Sequence, residues 1–220
     1  MDITAALQTD GNKASEKVAG YVVHHADSLE ELLRDMSSDI KRIKNAAAKA
    51  MRFVSERAPE LLIPHFASFR ELMVSRDTIC KWIAIDVIGN LARADQDGLV
   101  DTRLMKVLTE QLADEAMITA GHAIDALGKI ASAKPRRRTR ITNVLMQVET
   151  IERNAECRNI LLGKAVDAFR RYHQGASPKS RSDMASVATR LLSNDRPSTR
   201  KRAESFLKQT ARAQSSHRLR

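Results

Sequence analysis

Small and bulky apolar residues recur along the chain in a pattern that fits one face of an α-helix. Five segments begin with an alanine and place a bulky apolar residue three or four positions later. The alanines are Ala47, Ala84, Ala123, Ala165 and Ala203, and the bulky residues are Met51, Ile88, Leu127, Phe169 and Phe206. Because the alanines are 37, 39, 42 and 38 positions apart, the pattern predicts a repeated helical unit whose small residues let neighbouring helices approach closely.

A shorter amphipathic segment precedes each of these helices. The five segments occupy residues 28–36, 60–74, 101–112, 140–151 and 182–192. The first begins with Ser28 and has Glu31 three positions later, which is the spacing of a capping box. Pro64 lies early in the second segment and predicts a local kink there. The pattern therefore predicts pairs of helices, and we call the second helix of each pair, which carries the alanine, the B helix.

One helix pair is too small to bury its own apolar face, so each pair must pack against its neighbours. We therefore expect an all-α chain, a right-handed α-solenoid of about five antiparallel helix pairs over residues 28–213. Residues 1–27 form an N-terminal segment that can hold a capping helix, and residues 214–220 form a basic tail that we expect to be disordered.

Two units show the repeat most clearly: RDTICKWIAIDVIGNLAR from Arg76 and DEAMITAGHAIDALGKIAS from Asp114. A basic residue stands three positions before the alanine at Lys44, Lys81 and Arg200, whereas the third and fourth units have Ala120 and Leu162 there. In spacing and in these positions the chain resembles HEAT-repeat and armadillo-type proteins. The resemblance implies a fold and a way of binding partners on a concave face lined by B helices, where Lys44, Lys81 and Trp82 are candidate contacts.

An acidic residue follows the register alanine by one or two positions in the last four units, at Asp86, Asp125, Asp167 and Glu204. Catalytic groups occur once in a chain, whereas scaffold positions recur with the repeat. We therefore expect these carboxylates to pair with groups of the adjacent unit.

No combination of residues indicates an enzyme. The histidines and the two cysteines, Cys80 and Cys157, lack the spacing of a zinc site or of an activated thiol, and no glycine-rich phosphate loop is present. We expect no cofactor and no catalytic residues. One enzymatic alternative is kept, a HEAT-like DNA base-excision enzyme, because Trp82 and Asp86 share a helix face. It requires both side chains to be exposed in an open cleft.

Positive charge is concentrated in the C-terminal part of the chain. Residues 134–220 hold 21 basic and 7 acidic residues, a net charge of +14, whereas residues 1–133 hold 16 and 20, a net charge of −4. Candidate anion- or nucleic-acid-binding residues are Lys134, Arg136, Arg137, Arg138, Arg140, Arg170, Arg171, Arg200, Lys201 and Arg202.

Three interpretations of this charge stay open: contact with nucleic-acid phosphates, contact with an acidic protein, and a solvated surface. The sequence does not determine the oligomeric state. The chain has no apolar run of about 20 residues, so we expect no membrane insertion. It also has no secretory leader, and its two distant cysteines do not suggest disulfides, so we expect a cytoplasmic protein whose partner is another protein.

Overall fold

The computed structural model describes the backbone of residues 1–9 and 12–218 and the side chains of residues 1–9 and 13–212. Within these residues the chain forms α-helices and short 3-10 turns, without β-strands. The helices are α1 (Ile3–Leu7), α2 (Asn12–His24), α3 (Leu29–Asp35), α4 (Lys41–Arg57), α5 (Phe66–Leu72), α6 (Thr78–Leu91), α7 (Thr102–Glu110), α8 (Met117–Ala133), α9 (Arg138–Met146), α10 (Ala155–Arg170), α11 (Pro178–Arg190) and α12 (Pro197–Arg218).

The helices divide between two compact units, Met1–Asp101 and Thr102–Arg220. In the first unit α2 packs on α4 and α4 packs on α6, while α3 and α5 pack on α4 and α6 respectively. In the second unit the same order repeats: α8 packs on α10 and α10 on α12, with α7, α9 and α11 beside them. Each unit is thus built from sequential helix pairs in which the B helices contact one another.

The alanine register forms the interior, as predicted. The five bulky residues are fully buried: Met51, Ile88, Leu127, Phe169 and Phe206 each have 0% of their surface exposed. The five alanines are buried with them. The prediction of an all-α repeat fold is therefore confirmed.

The described residues form six helix pairs rather than about five. The additional pair is α1 and α2, in the N-terminal segment where a single capping helix was expected. Ile3 and Leu7 supply a short apolar face to α1 that is completely buried. Carboxylates of α3 hold α1 in place. Glu31 accepts hydrogen bonds from the backbone N–H groups of Ile3 and Thr4 at 3.2 and 3.4 Å, and the Thr4 hydroxyl donates to Asp35 at 2.9 Å.

Two local predictions in the first unit need correction. Ser28 belongs to a 3-10 turn (Ala26–Ser28) and its hydroxyl makes no capping hydrogen bond, so the predicted capping box is wrong, and Glu31 caps α1 instead. Pro64 does more than kink a helix: Pro59–His65 is a 3-10 segment and α5 begins only at Phe66. The reason is that proline has no N–H to donate and its ring clashes with the preceding turn.

At the C-terminal end, α12 runs to Arg218. The backbone of residues 214–218, for which a disordered tail was predicted, is therefore described as part of this helix. Residues 219 and 220 lie outside the described residues. No helix in the described part of the chain is both long and apolar enough to cross a membrane.

Candidate interaction surface

The B helices of the second unit approach each other closely because glycines face the neighbouring helix. A methyl group added to Gly128 of α8 would lie only 2.8 Å from Cβ of Ala168 on α10. At Gly121 the same addition would lie 2.9 Å from Cε of Lys164, and at Gly163 it would lie 3.0 Å from the hydroxyl of Thr199 on α12. Side chains at the edges of α8, α10 and α12 therefore reach across to the adjacent helix.

Asp125 links α8 to α10. Its carboxylate lies 2.8 Å from Nζ of Lys129, one helical turn away, and 2.6 Å from Nη2 of Arg171. Burial opposes ionisation of Asp125, but the two cations outweigh it and hold the pKa of this carboxyl below its ordinary value. Asp125 is therefore a permanent negative charge on this surface at neutral pH.

Asp167 makes the equivalent link from α10 to α12. Its carboxylate lies 3.3 Å from Nε of Arg202 on α12 and 3.7 Å from Nη2 of Arg170 on its own helix. Together with Asp125, it gives the inter-repeat pairing that the sequence predicted for the recurring acids. The last member of that series, Glu204, is exposed on α12.

A groove of about 560 Å³ lies over these two links. It is formed only by B helices, and its lining residues are Asp125, Lys164, Asp167, Arg170, Arg171 and Arg202. We call it the B-helix groove. Four of the six residues are cations and two are carboxylates, so the groove carries a positive surplus.

A smaller hollow of about 220 Å³ adjoins the groove, since Arg170 and Arg171 line both. Its walls include the buried rings of Tyr172, His173 and Phe206. The Tyr172 hydroxyl is 3.1 Å from the Thr142 hydroxyl, and burial raises the pKa of Tyr172. Burial, followed by the charge of Arg181, lowers the pKa of His173, so its imidazole is neutral at pH 7.

The structure divides the predicted basic residues into two groups. Several hold backbone carbonyl groups: Arg138 donates to Ala131, Gly175 and Ser132 at 3.0, 2.7 and 3.3 Å. Arg200 of α12 likewise donates to the carbonyl oxygens of Asn194 and Asp195 in the loop before this helix. These guanidinium groups stabilise loops, and the hydrogen bonds to carbonyl groups occupy N–H groups that could otherwise bind a partner.

The remaining predicted basic residues differ in exposure and position. Arg136, Arg140 and Lys201 are exposed, while Lys134 and Arg137 are half-buried and interact with other residues. Arg170, Arg171 and Arg202 line the B-helix groove. Lys164, which the sequence did not single out, lies there too. No sequence pattern singled out Lys164, because the residues directly before the first three register alanines are Ala46, Ile83 and His122.

In the first unit, Lys44 is part of the scaffold. Its Nζ lies 2.5 Å from Oδ2 of Asp77, the residue that caps α6. The hydrogen bond between them raises the pKa of Lys44 and lowers that of Asp77. Lys44 therefore ties α4 to the next B helix.

The geometry required for base excision is not met. Trp82 is half-buried, but Asp86 has only 5% of its surface exposed. The two side chains do not both open into a cleft, because the register places Asp86 in the packed interior beside Ile85 and Val87. Lys81, the other residue named with Trp82, is also half-buried.

A turn that the sequence pattern did not predict recurs in the loop before the second helix of four pairs. Nine positions before the register alanine, Ser38, Ser75, Asp114 and Asn194 each accept a hydrogen bond from the backbone N–H two residues further on. These side chains shape the loop that leads into the B helix. The common spacing was visible in the sequence, but the mixture of hydroxyl, carboxylate and amide groups concealed it.

The pair formed by α9 and α10 departs from this turn. There Asn154 caps α10 through the N–H of Cys157, and Arg153 donates to the carbonyl oxygen of Leu112 at 2.9 Å and to that of Asp114. The longer spacing of 42 residues between Ala123 and Ala165 makes room for this alternative loop. Among the described residues, no group of three or more His, Cys, Asp or Glu side chains is placed to hold a metal ion.

The chain matches no protein-family model and no curated protein. It is similar to several solved structures. A designed armadillo repeat protein in complex with the peptide (KR)4 matches with a TM-score of 0.64 at 14% identity, over 94% of this chain and 89% of that one. Computationally designed armadillo repeat proteins for modular peptide recognition match with a TM-score of 0.60 at 15% identity, over 94% and 90%.

An engineered protein from a structural genomics consortium matches with a TM-score of 0.64 at 16% identity, over 94% of this chain and 98% of that chain. At identities this low, the structural similarity establishes the fold alone. The chain therefore has an armadillo/HEAT-type α-solenoid repeat fold.

Proposed function

We propose that the chain is a non-enzymatic interaction module, a scaffold or adaptor, which binds an extended segment of another protein along α8, α10 and α12. The observation that carries this proposal is the B-helix groove. It crosses the second helices of three successive pairs and is lined by charged side chains. The fully buried alanine register beneath these side chains fixes their positions.

The spacing of the groove suits an extended chain. Packed helices lie about 8–10 Å apart, and an extended peptide rises about 3.3 Å per residue. About three residues of a bound segment would therefore pass over each B helix. Both designed armadillo proteins that match this chain are described in connection with peptides. One was solved in complex with (KR)4, and the other was designed for modular peptide recognition.

A selection from a library of random peptides, followed by site-specific photocrosslinking, tests the proposal. A benzophenone side chain at Ser132 should crosslink to selected peptides at physiological salt. Ser132 is exposed on α8, and its hydroxyl lies 3.4 Å from the carbonyl oxygen of Arg171, which lines the groove. The matched control is Ser186, which is exposed on α11, the first helix of its pair. Failure of the library to yield binders, or equal crosslinking from Ser132 and Ser186, would count against the proposal.

Measuring the binding of duplex DNA to the same protein tests the alternative function, association with nucleic acid. Non-specific phosphate contacts would give micromolar binding that falls steeply between about 50 and 200 mM salt. If such binding appears and is lost on reversing the charges of Arg136, Arg137 and Arg138, those residues act on nucleic acid. If it is absent or unchanged by the reversal, the loop is not a nucleic-acid site.

A further inference from the structure

The charges of the B-helix groove indicate what kind of segment it holds. We propose that the partner is an extended acidic peptide, with its carboxylates bound by Lys164, Arg171 and Arg202. This inference rests on the proposed function and adds the sign of the partner's charge. The peptide (KR)4 in the matching designed complex is basic, so the proposal is that this chain takes the opposite kind of ligand.

The groove keeps positive charge after its internal ion pairs are formed. Asp125 and Asp167 each lie between a cation of their own helix and a cation of the next helix. Lys164 lines the same groove and adds a further positive charge. A groove with a surplus of positive charge attracts negatively charged ligands and speeds their association.

Lys164 is placed by a glycine on the neighbouring helix. Its Cε occupies the space directly over Gly121, where any added Cβ would approach within 2.9 Å. The long side chain therefore lies against α8, and its Nζ is 3.4 Å from the position of that added Cβ. Asp125, Asp167, Arg171 and Arg202 line the same groove.

A peptide fits this arrangement better than a nucleic acid does. Asp125 and Asp167 lie within the groove and would repel a continuous row of phosphates. A peptide, by contrast, presents carboxylates to the cations and backbone N–H groups to the two aspartates. The scarcity of aromatic residues, 4% of the chain, also removes the stacking on which single-stranded nucleic acids depend.

The test measures binding of two octapeptides, (DE)4 and (KR)4, to the full chain by fluorescence anisotropy. We expect (DE)4 to bind and (KR)4 not to bind, with the affinity for (DE)4 falling as salt rises. Lys164→Glu should weaken binding of (DE)4 by about tenfold or more. Lys164→Gln should give a smaller loss, and Gly121→Ala should weaken binding by displacing the lysine while keeping the net charge.

Arg136→Glu is the matched control, because it changes the net charge by the same amount at an exposed position outside the groove. It should leave binding of (DE)4 within about twofold of the parent. Equal losses for Lys164→Glu and Arg136→Glu would mean that general charge attraction, rather than the groove, holds the peptide.

The outcomes separate this inference from the proposed function. If the random library yields basic or uncharged peptides that crosslink at Ser132 while (DE)4 does not bind, the interaction module stands and the acidic partner is wrong. If duplex DNA competes with (DE)4 for the groove and Lys164→Glu weakens both, the choice of peptide over nucleic acid is overturned. Thermal unfolding of each variant at or above the temperature of the parent shows that the losses are local.

Discussion

Single residues of this chain often serve two neighbouring helices at once. Asp77 shows this most clearly. One carboxylate oxygen accepts from the N–H groups of Ile79 and Cys80 at 3.1 Å each, which caps α6, and the other forms the ion pair with Lys44 of α4. Its hydrogen bond with Lys44 and those with the backbone hold the pKa of Asp77 below its ordinary value of 3.8.

We expect Asp77→Ala to lower the free energy of unfolding by about 1–2 kcal/mol, since it removes the helix cap and the ion pair. Asp77→Asn keeps a capping side chain and should cost less than about 1 kcal/mol. Urea unfolding at pH 7 measures both changes.

The difference in stability between the parent and Asp77→Asn should depend on pH. Because the folded-state pKa of Asp77 is lowered, its charge stabilises the fold above its ordinary pKa of 3.8, and this contribution is lost as the pH falls through the folded-state value. The difference in stability between the parent and Asp77→Asn should therefore shrink in acid. A difference that grows between pH 5 and pH 3 would contradict this account.

The two cysteines should differ in reactivity. Cys80 has 4% of its surface exposed, and burial, with the nearby charge of Asp77, raises the pKa of its thiol. Cys157 is only half-buried at the start of α10. A thiol reagent should modify Cys157 first, because reaction needs an accessible thiolate. Cys157→Ser should remove the fast phase of the reaction and leave the slow one, whereas Cys80→Ser should do the reverse.

At the scale of helices, close approach depends on two glycines of α8 that face α10 in different surroundings. Gly128 faces the Ala168 backbone, with Cα of Ala168 only 3.0 Å from an added methyl group, whereas Gly121 faces the end of the flexible Lys164 side chain. Backbone cannot move aside without separating the helices, but a lysine side chain can rotate away.

We expect Gly128→Ala to destabilise the protein by about 1–3 kcal/mol through overpacking. Gly121→Ala should be neutral or stabilising by up to about 1 kcal/mol, because alanine favours the helix. Thermal unfolding of the two variants, side by side, measures the contrast. A Gly128→Ala protein as stable as Gly121→Ala would show that α8 and α10 are less closely packed than described.

The sequence predicted the B helices well and the rest less well, for physical reasons. The alanine register repeats because every B helix meets the same neighbour, so its pattern is regular. The first helix of each pair is shorter and adjoins 3-10 turns, and residues such as Pro64 shift its start. The roles of the arginines were not predictable, because whether Arg138 meets a carbonyl group or solvent depends on loop geometry rather than on composition.

The candidate groove was only partly predictable for a related reason. Arg170, Arg171 and Arg202 stood out as basic dipeptides or runs, and the recurring aspartates were expected to pair between repeats. Lys164 stands alone in the sequence, and the packing of α10 against Gly121 places its side chain in the groove. Composition identified the charge, and the helix packing determined its position.

Over the whole molecule, a repeat architecture confines the destabilising effect of a substitution mainly to the substituted repeat and its immediate neighbours. In such arrays each unit gains stability from its immediate neighbours. Native-state hydrogen exchange of Gly128→Ala should therefore show the largest loss of protection in α8 and α10 and a smaller loss in α12. The control is Gly121→Ala, which should leave protection in all three helices close to that of the parent. Uniform loss from α2 to α12 in Gly128→Ala would instead indicate that the chain unfolds as one cooperative block.

The turn shared by Ser38, Ser75, Asp114 and Asn194 has a consequence for protein engineering. A hairpin excised between two of these points begins and ends in the same local geometry, so it could be duplicated or exchanged like an interchangeable cassette. The hairpin of α9 and α10 is the exception, since the loop that leads into α10 depends on Asn154 and Arg153. That hairpin would therefore have to be transplanted together with the loop before α10 and with the Leu112 and Asp114 carbonyl groups that Arg153 binds.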